Sequence, residues 1–369
     1  MDNFGRRLKI TCGCLGMTTT VLSGTGKEKT SMSNNMDVRF TGKSCFATIK
    51  VLCVCMVGLL VAGGCGQSQQ RSVDLYVDAV MLRELKENEK AVEKLNSAVK
   101  LNKNFLLAYS MLGDIYQETE DYEKSIASYK KATELNPWSF KDYFNLGRVY
   151  QIRKDFTQAA EAYVKACDIK PGFLDAHVSA AKVYYEIKDY NSALIYGQRA
   201  EKIDPNICEI QKIRGDIYES RENYDQAVAF YKRALEIDSN NPEIMTSLAV
   251  AYLKTRRYND AKELLTSVIQ VRPDNSTAYK HLGFCFLELK DAEEAVESYG
   301  KAVEIDGRDW ESHRGLGVAY ILQGKSEDGT IDEALKAKAI QQWQLSLEIN
   351  PGQPKSDKLL KLIQYYSKK

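Results

Sequence analysis

From Ser72 onward, small apolar, large apolar and polar residues fall in a register that repeats every 34 residues. Units start at Ser72, Leu106, Phe140, Leu174, Cys208, Pro242, Ser276 and Trp310. The eighth position is always small: Ala79, Gly113, Gly147, Ala181, Gly215, Ala249, Gly283 and Gly317. Positions twenty and twenty-seven are small as well, with Ala91, Ser125, Ala159, Ala193, Ala227, Ala261 and Ala295, then Ala98, Ala132, Ala166, Ala200, Ala234, Val268 and Ala302. Large rings fill the spaces between: position eleven is Leu82, Tyr116, Tyr150, Tyr184, Tyr218, Tyr252, Phe286 and Tyr320. A 34-residue period is the length of a helix–turn–helix unit that buries its apolar face only by stacking on its neighbours. Small residues are expected where helices press backbone to backbone, because a larger side chain there costs about 1–3 kcal/mol.

The punctuation agrees. Pro137, Pro171, Pro205, Pro273 and Pro351 each follow an apolar helix end, where proline stops one helix and can preset the next. Position twenty-four is Tyr129, Tyr163, Tyr231 and Tyr299 but Gly197 in the fourth unit, which is expected to be a soft point or to pack a neighbour more closely. The first unit carries Asp78 and Lys103 at positions that favour an apolar residue and proline, as suits a terminal unit. The last holds ten extra residues, including the polar loop Gly324-Lys325-Ser326-Glu327-Asp328-Gly329, before a lengthened helix over 331–349.

On these residues the chain resembles the tetratricopeptide-repeat family from residue 72 to about 351. The resemblance implies an all-α, right-handed superhelical solenoid of about eight helix–turn–helix repeats. They would span 72–105, 106–139, 140–173, 174–207, 208–241, 242–275, 276–309 and 310–353. The stretch 354–369 would be a capping helix, with Leu359, Leu360, Ile363 and Tyr366 on one side. A lysine-rich helix lying on a membrane surface is the alternative for that stretch.

The N-terminus reads as an address. Arg39, Lys43 and Lys50 precede an unbroken apolar run over 51–62, closed by Ala62-Gly63-Gly64-Cys65. This resembles a bacterial lipoprotein signal over 36–64, which implies acylation of Cys65 as the mature N-terminus, followed by a short tether over 65–71. The run is too short for a comfortable membrane span of roughly 20 residues. Residues 1–35 show no helical periodicity and are expected to be a mis-assigned start, with translation from Met36 or Met32, or disordered.

Charge changes the picture of partners. The overall +1 hides an asymmetry: residues 1–65 hold 8 basic and 3 acidic side chains, leaving 43 basic against 47 acidic and a net of −4 in the body. A mildly acidic body without a basic stripe argues against nucleic acid. Cys12, Cys14, Cys45, Cys53, Cys55 and Cys65 lie in the first 65 residues, and Cys167, Cys208 and Cys285 read as isolated buried thiols. His177, His281 and His313 sit at first-helix positions and read as core or edge residues. The body has no Gly-rich phosphate loop, nucleophile elbow or paired-cysteine motif. The reading is therefore no enzyme, no metal, no cofactor and no small-molecule substrate.

In the family, positions two, five, nine and twelve of the first helices face a groove. Carried onto this chain they give Lys141, Phe144, Arg148, Lys182, Tyr185 and Lys212, a cationic patch flanked by rings and suited to an acidic or extended peptide segment. Asp175, Glu209 and Asp216 lie near it, and of the family's carboxylate-clamp positions only Lys212 is matched. Phe284, Leu287, Val318, Ile321 and Leu322 form an apolar surface on the last two units, either covered by the C-terminal helix or open as a second site. The resulting expectation is a lipid-anchored scaffold in the cell envelope, on the periplasmic face of an outer membrane because Gly66 rather than Asp follows Cys65. A soluble or inner-membrane-anchored adaptor of a cytoplasmic or signalling complex, and a docking subunit for a cell-wall enzyme, are the alternatives.

Overall fold

The computed structural model describes residues 8–11, 18–21 and 66–368. The signal-like stretch 36–64 and Cys65 lie outside the described residues. Two short strands, β1 (Leu8–Thr11) and β2 (Thr18–Val21), pair antiparallel with Leu8 opposite Val21. They lie within the stretch 1–35, where threonine and β-branched neighbours favour extended backbone.

All other regular structure among the described residues is helical, in 17 helices. The chain divides into two compact units that meet in sequence between Leu135 and Asn136. The first contains α1 (Gln67–Glu84), α2 (Asn88–Leu101), α3 (Leu106–Glu118) and α4 (Tyr122–Leu135). Helix α1 begins at Gln67, so the stretch 67–71, expected as part of a tether, is helical. Fully buried Ser72 donates its hydroxyl to Gln69 O at 2.8 Å and fixes that added turn.

The second unit holds the helix pairs α5 (Phe140–Ile152) with α6 (Phe156–Ile169), α7 (Leu174–Glu186) with α8 (Tyr190–Ile203), and α9 (Cys208–Ser220) with α10 (Tyr224–Ile237). It continues with α11 (Pro242–Lys254) and α12 (Tyr258–Val271), α13 (Ser276–Glu288) and α14 (Ala292–Ile305), then α15 (Trp310–Gln323) and α16 (Glu333–Ile349). Helix α17 (Ser356–Lys368) packs on α16. Within this unit first helices also touch one another, α7 with α9, α9 with α11, α11 with α13 and α13 with α15, so one face is built from first helices alone.

Seven of the eight pairs turn in three residues by the same device, while the last, α15 with α16, is joined by a longer loop. Lys86, Glu120, Lys154, Lys188, Glu222, Arg256 and Lys290 all hold φ between 59° and 65°. The next amide then reaches back to close the helix, as Asp155 N does to Tyr150 O at 2.9 Å. These left-handed positions are ones a glycine would occupy without steric cost, and here every one carries a long charged side chain. Asp155, Asp189, Asn223 and Asp291 follow and cap the second helices through their side chains.

The eighth-position glycines correct the expected backbone-to-backbone contact: each faces a ring. A Cβ on Gly113, Gly147 or Gly283 would stand 2.7–2.8 Å from Tyr129, Tyr163 or Tyr299 of the same unit. Gly317 faces Trp343 in the same way. Where position eight is alanine, position twenty-four is not aromatic: Ala79 with Leu95, Ala249 with Leu265 and Ala181 with Gly197, all buried. In the fourth unit Ile210 from the following helix closes over Gly197, 3.4 Å from where its Cβ would be. That unit packs its neighbour more closely instead of softening.

Candidate functional site

Helices α5, α7 and α9 enclose a groove of about 640 Å³. Phe144, Arg148 and Gln151 from α5, Asp175 and Val178 from α7 and Glu209 from α9 contribute to its walls. Of the six peptide-binding candidates, only Phe144 and Arg148 line it. Phe144 is half-buried, its ring centroid 5.0 Å from Phe173 and 5.5 Å from Tyr163, so it is groove wall and core together. Arg148 is exposed at its edge. Lys141 is exposed on the same helix, outside the groove lining.

Two of the expected free cations are already paired. Lys182 Nζ lies 2.5 Å from Glu209, across from α7 to α9. Lys212 Nζ donates to Asp216 at 2.7 Å, one turn along its own helix. Tyr185 packs beside Tyr190, and burial together with Asp216 pushes its hydroxyl up to about 12. The central groove is therefore a mixed-charge surface and not the cationic patch that the register alone implied: Arg148 is its lining cation against Asp175, Asp204 and Glu209.

Below this face the position-twenty-four tyrosines are pinned by acceptors on the first helix of their own unit. Tyr129 donates to Asp114 at 2.6 Å, Tyr163 to Gln151 at 2.7 Å, and Tyr231 reaches both Asp216 and Glu219 at 2.7 Å. Those acceptors occupy positions nine and twelve, which sequence reasoning treated only as groove-facing.

The seventh unit has Phe284 and Leu287 at those two positions. Nothing among the described residues accepts from its Tyr299 hydroxyl, although Tyr299 is only 4 % exposed. The ring instead leans onto Gly315 of α15, where any Cβ would collide with it. Above it opens a second groove of about 700 Å³ between α13, α15 and α17. Of the apolar surface expected there, Ile321 is buried with Trp343 and Leu359, while Phe284, Val318 and Leu322 remain 36–45 % exposed. The C-terminal helix thus covers one end of that surface and walls the rest. Its buried side holds Leu359, with Ile363 and Tyr366 packed against Trp343. Leu360 points outward, which corrects its expected place on that face.

His281 lines this second groove, and burial holds its imidazole down to about 4. His177 and His313 are buried and tie Nε2 to the carbonyls of Pro171 and Gly307, six residues earlier. Burial pushes the Cys167 and Cys285 thiols up to about 12. Among the described residues no cluster of His, Cys, Asp and Glu is placed to hold a metal, and no helix is long and apolar enough to cross a membrane.

Comparison with known proteins gives the same repeat. Family models described as "Tetratricopeptide repeat" match residues 220–283 and, separately, 143–173 and 276–309, and one described as "TPR repeat" matches 113–152. No curated protein sequence matches the chain. Among solved structures, the C-terminal part of a TPR repeat-containing protein from Cytophaga hutchinsonii is similar with a TM-score of 0.54 and 16 % identity, over 67 % of this chain and 98 % of that one. A tetratricopeptide repeat protein from Parabacteroides merdae is similar with a TM-score of 0.50 and 16 % identity, over 70 % of this chain and 98 % of that one.

Proposed function

We propose that this chain is a tetratricopeptide-repeat protein, a non-catalytic scaffold that holds other polypeptides on the face built from its first helices. The observation that carries this reading is the open groove across α5, α7 and α9, which presents a ring, an exposed guanidinium and carboxylates side by side. An extended peptide entering it meets Phe144 as an apolar wall and Arg148 as a donor to its carbonyls or carboxylates. Lys182 joins when a ligand carboxylate replaces Glu209 as its partner, an exchange that is inexpensive because exposed pairs contribute only about 0–1 kcal/mol, while Lys212 stays on Asp216 beside the path. Lys141 and Tyr185 flank the path.

The expected result is that Arg148→Glu combined with Lys182→Glu abolishes recovery of partners crosslinked to the wild-type protein in its native cells. An identical set of crosslinked partners from both proteins would remove the central groove from the reading.

The scaffold is further proposed to be lipid-anchored in the cell envelope through Cys65, on the periplasmic side of an outer membrane. What supports this is the basic–apolar–small sequence of residues 36–65 alone. Because α1 starts at Gln67, an acyl chain on Cys65 would hold the first repeat within a few ångströms of the lipid surface. Metabolic labelling with a radioactive fatty acid should mark the wild-type chain and leave Cys65→Ala unmarked. Label in neither protein would return the chain to a cytoplasmic or otherwise anchored adaptor.

A further inference from the structure

We propose that the groove between α13, α15 and α17 is a second binding site, specific for the apolar face of an acidic amphipathic segment of a partner polypeptide. The proposal rests on the scaffold reading but not on the central groove. Three independent features point to it.

The first is the Tyr299 hydroxyl. In three other units the equivalent phenol is satisfied by a side chain at position nine or twelve of the first helix. Here those positions are Phe284 and Leu287, and the phenol, with no protein acceptor among the described residues, lines the groove instead. A groove-lining phenol that no protein group claims is free to donate to a ligand. A ligand carbonyl or carboxylate that reaches the groove floor would supply what the fold withholds.

The second is the apolar wall. Phe284, Leu287, Val318, Leu322 and Leu362 surround a volume of about 700 Å³, enough for several apolar side chains. Phe284, Val318 and Leu322 are each more than a third exposed, whereas position nine of the third, fourth and fifth first helices is Arg148, Lys182 and Asp216. The trough is open along one side between three helices, a shape suited to a helix laid lengthwise.

The third is charge. Lys280, Arg314, Lys355 and Lys358 lie at the margins against Glu288, Glu311 and Asp309, a local net of +1 on a body whose net charge is −4. Lys280 already holds Glu311 at 2.8 Å and Asp309 at 3.3 Å, and Arg314 lies over the Trp310 ring and donates to Pro354 O. Lys355 and Lys358 have no carboxylate partner among the described residues. They stand on the C-terminal wall, where carboxylates flanking an inserted apolar face would meet them. A basic segment would instead face Lys355 and Lys358 as like charges.

The test uses the full described chain and two fluorescein-labelled 15-residue peptides, both with leucine along one helical face. One carries glutamate on the other face and its counterpart carries lysine. The acidic peptide should bind at least about tenfold more tightly than the basic one. Tyr299→Phe should weaken it about three- to tenfold, the loss of one hydrogen bond. The same change should leave the thermal midpoint unchanged or raised, because the hydroxyl it removes satisfies nothing in the free protein. Val318→Asp, at an exposed site, should abolish binding, and Lys355→Glu with Lys358→Glu should erase the preference for acid. Arg148→Glu with Lys182→Glu should leave all of this untouched. Binding of neither peptide, equal binding of both, or binding lost in the Arg148/Lys182 variant and kept in Val318→Asp would each overturn the site. In any of those cases crosslinked partners captured through the central groove would leave the scaffold reading standing.

Discussion

Trp343→Ala is expected to cost about 3–5 kcal/mol in the last repeat, the range for emptying a fully buried tryptophan, and to free the C-terminal helix. The indole is 2 % exposed and packs with Ile321, Ala339 and Leu359. Its Nε1 donates to Arg314 O at 3.2 Å, and its ring lies 5.8 Å from Tyr366 of α17. Gly317 has no side chain because the indole occupies that space. One residue therefore joins three helices, and polar contacts tie the turn after α16 as well. Gln353, itself buried, donates to Ser346 O at 2.9 Å, and Ser346 donates to Trp310 O at 2.8 Å. In a repeat array neighbours stabilise neighbours only, so the loss should stay local. Hydrogen exchange should show protection collapsing in α16 and α17 while α9 to α12 keep theirs. The variant should also lose the acidic peptide, because α17 and the residue before it supply Lys358, Leu362 and Lys355 to the groove. Unchanged protection in α17 would mean that Leu359, Ile363 and Tyr366 hold the helix without the indole.

The repeat itself was legible because its signal is redundant. A 34-residue register of small residues at positions eight, twenty and twenty-seven survives any single exception, and all of those positions are buried in the fold. What the small residues do was not legible. Gly113 and Tyr129 are sixteen residues apart on different helices, and only the packed pair shows that the glycine makes room for a ring and not for a backbone. The charged residues at positive φ were hidden for a similar reason. Glu222 and Arg256 carry no local mark of left-handed backbone, and the turn geometry that two packed helices require overrides their preference. The site was the least legible part. Register placed Lys182 and Lys212 on the groove face, but whether a lysine is free depends on which carboxylate its flexible stem can reach. Glu209 and Asp216 lie within that reach. The second groove was readable as an apolar surface from Phe284, Leu287, Val318 and Leu322. The sequence signal for its polar floor was present too: a tyrosine at position twenty-four whose unit lacks an acid or amide at positions nine and twelve.

That same pairing of positions eight and twenty-four gives the second large effect, and it is expected at Gly215. An added methyl would sit 2.5 Å from Tyr231 Cδ1, so the ring must retreat. Retreat is opposed because its hydroxyl is held between Asp216 and Glu219 at 2.7 Å each, and these carboxylates with burial keep the phenol far above its ordinary titration range. Gly215→Ala should therefore destabilise the fifth repeat by about 1–3 kcal/mol, the usual cost of overpacking, offset only slightly by the better helix propensity of alanine. The sixth repeat shows what relieves it: there Ala249 packs with Leu265, both fully buried. Tyr231→Leu alone should also destabilise, through the cavity and the lost hydrogen bonds. In Gly215→Ala/Tyr231→Leu the methyl enters that cavity and recreates the sixth-repeat pair. Urea unfolding of the four proteins should show a favourable coupling of about 1 kcal/mol or more, since residues in direct contact are where additivity fails. Strict additivity would mean that the two positions do not read each other, and that the recurrence of glycine opposite rings and alanine opposite leucine along this chain has another origin.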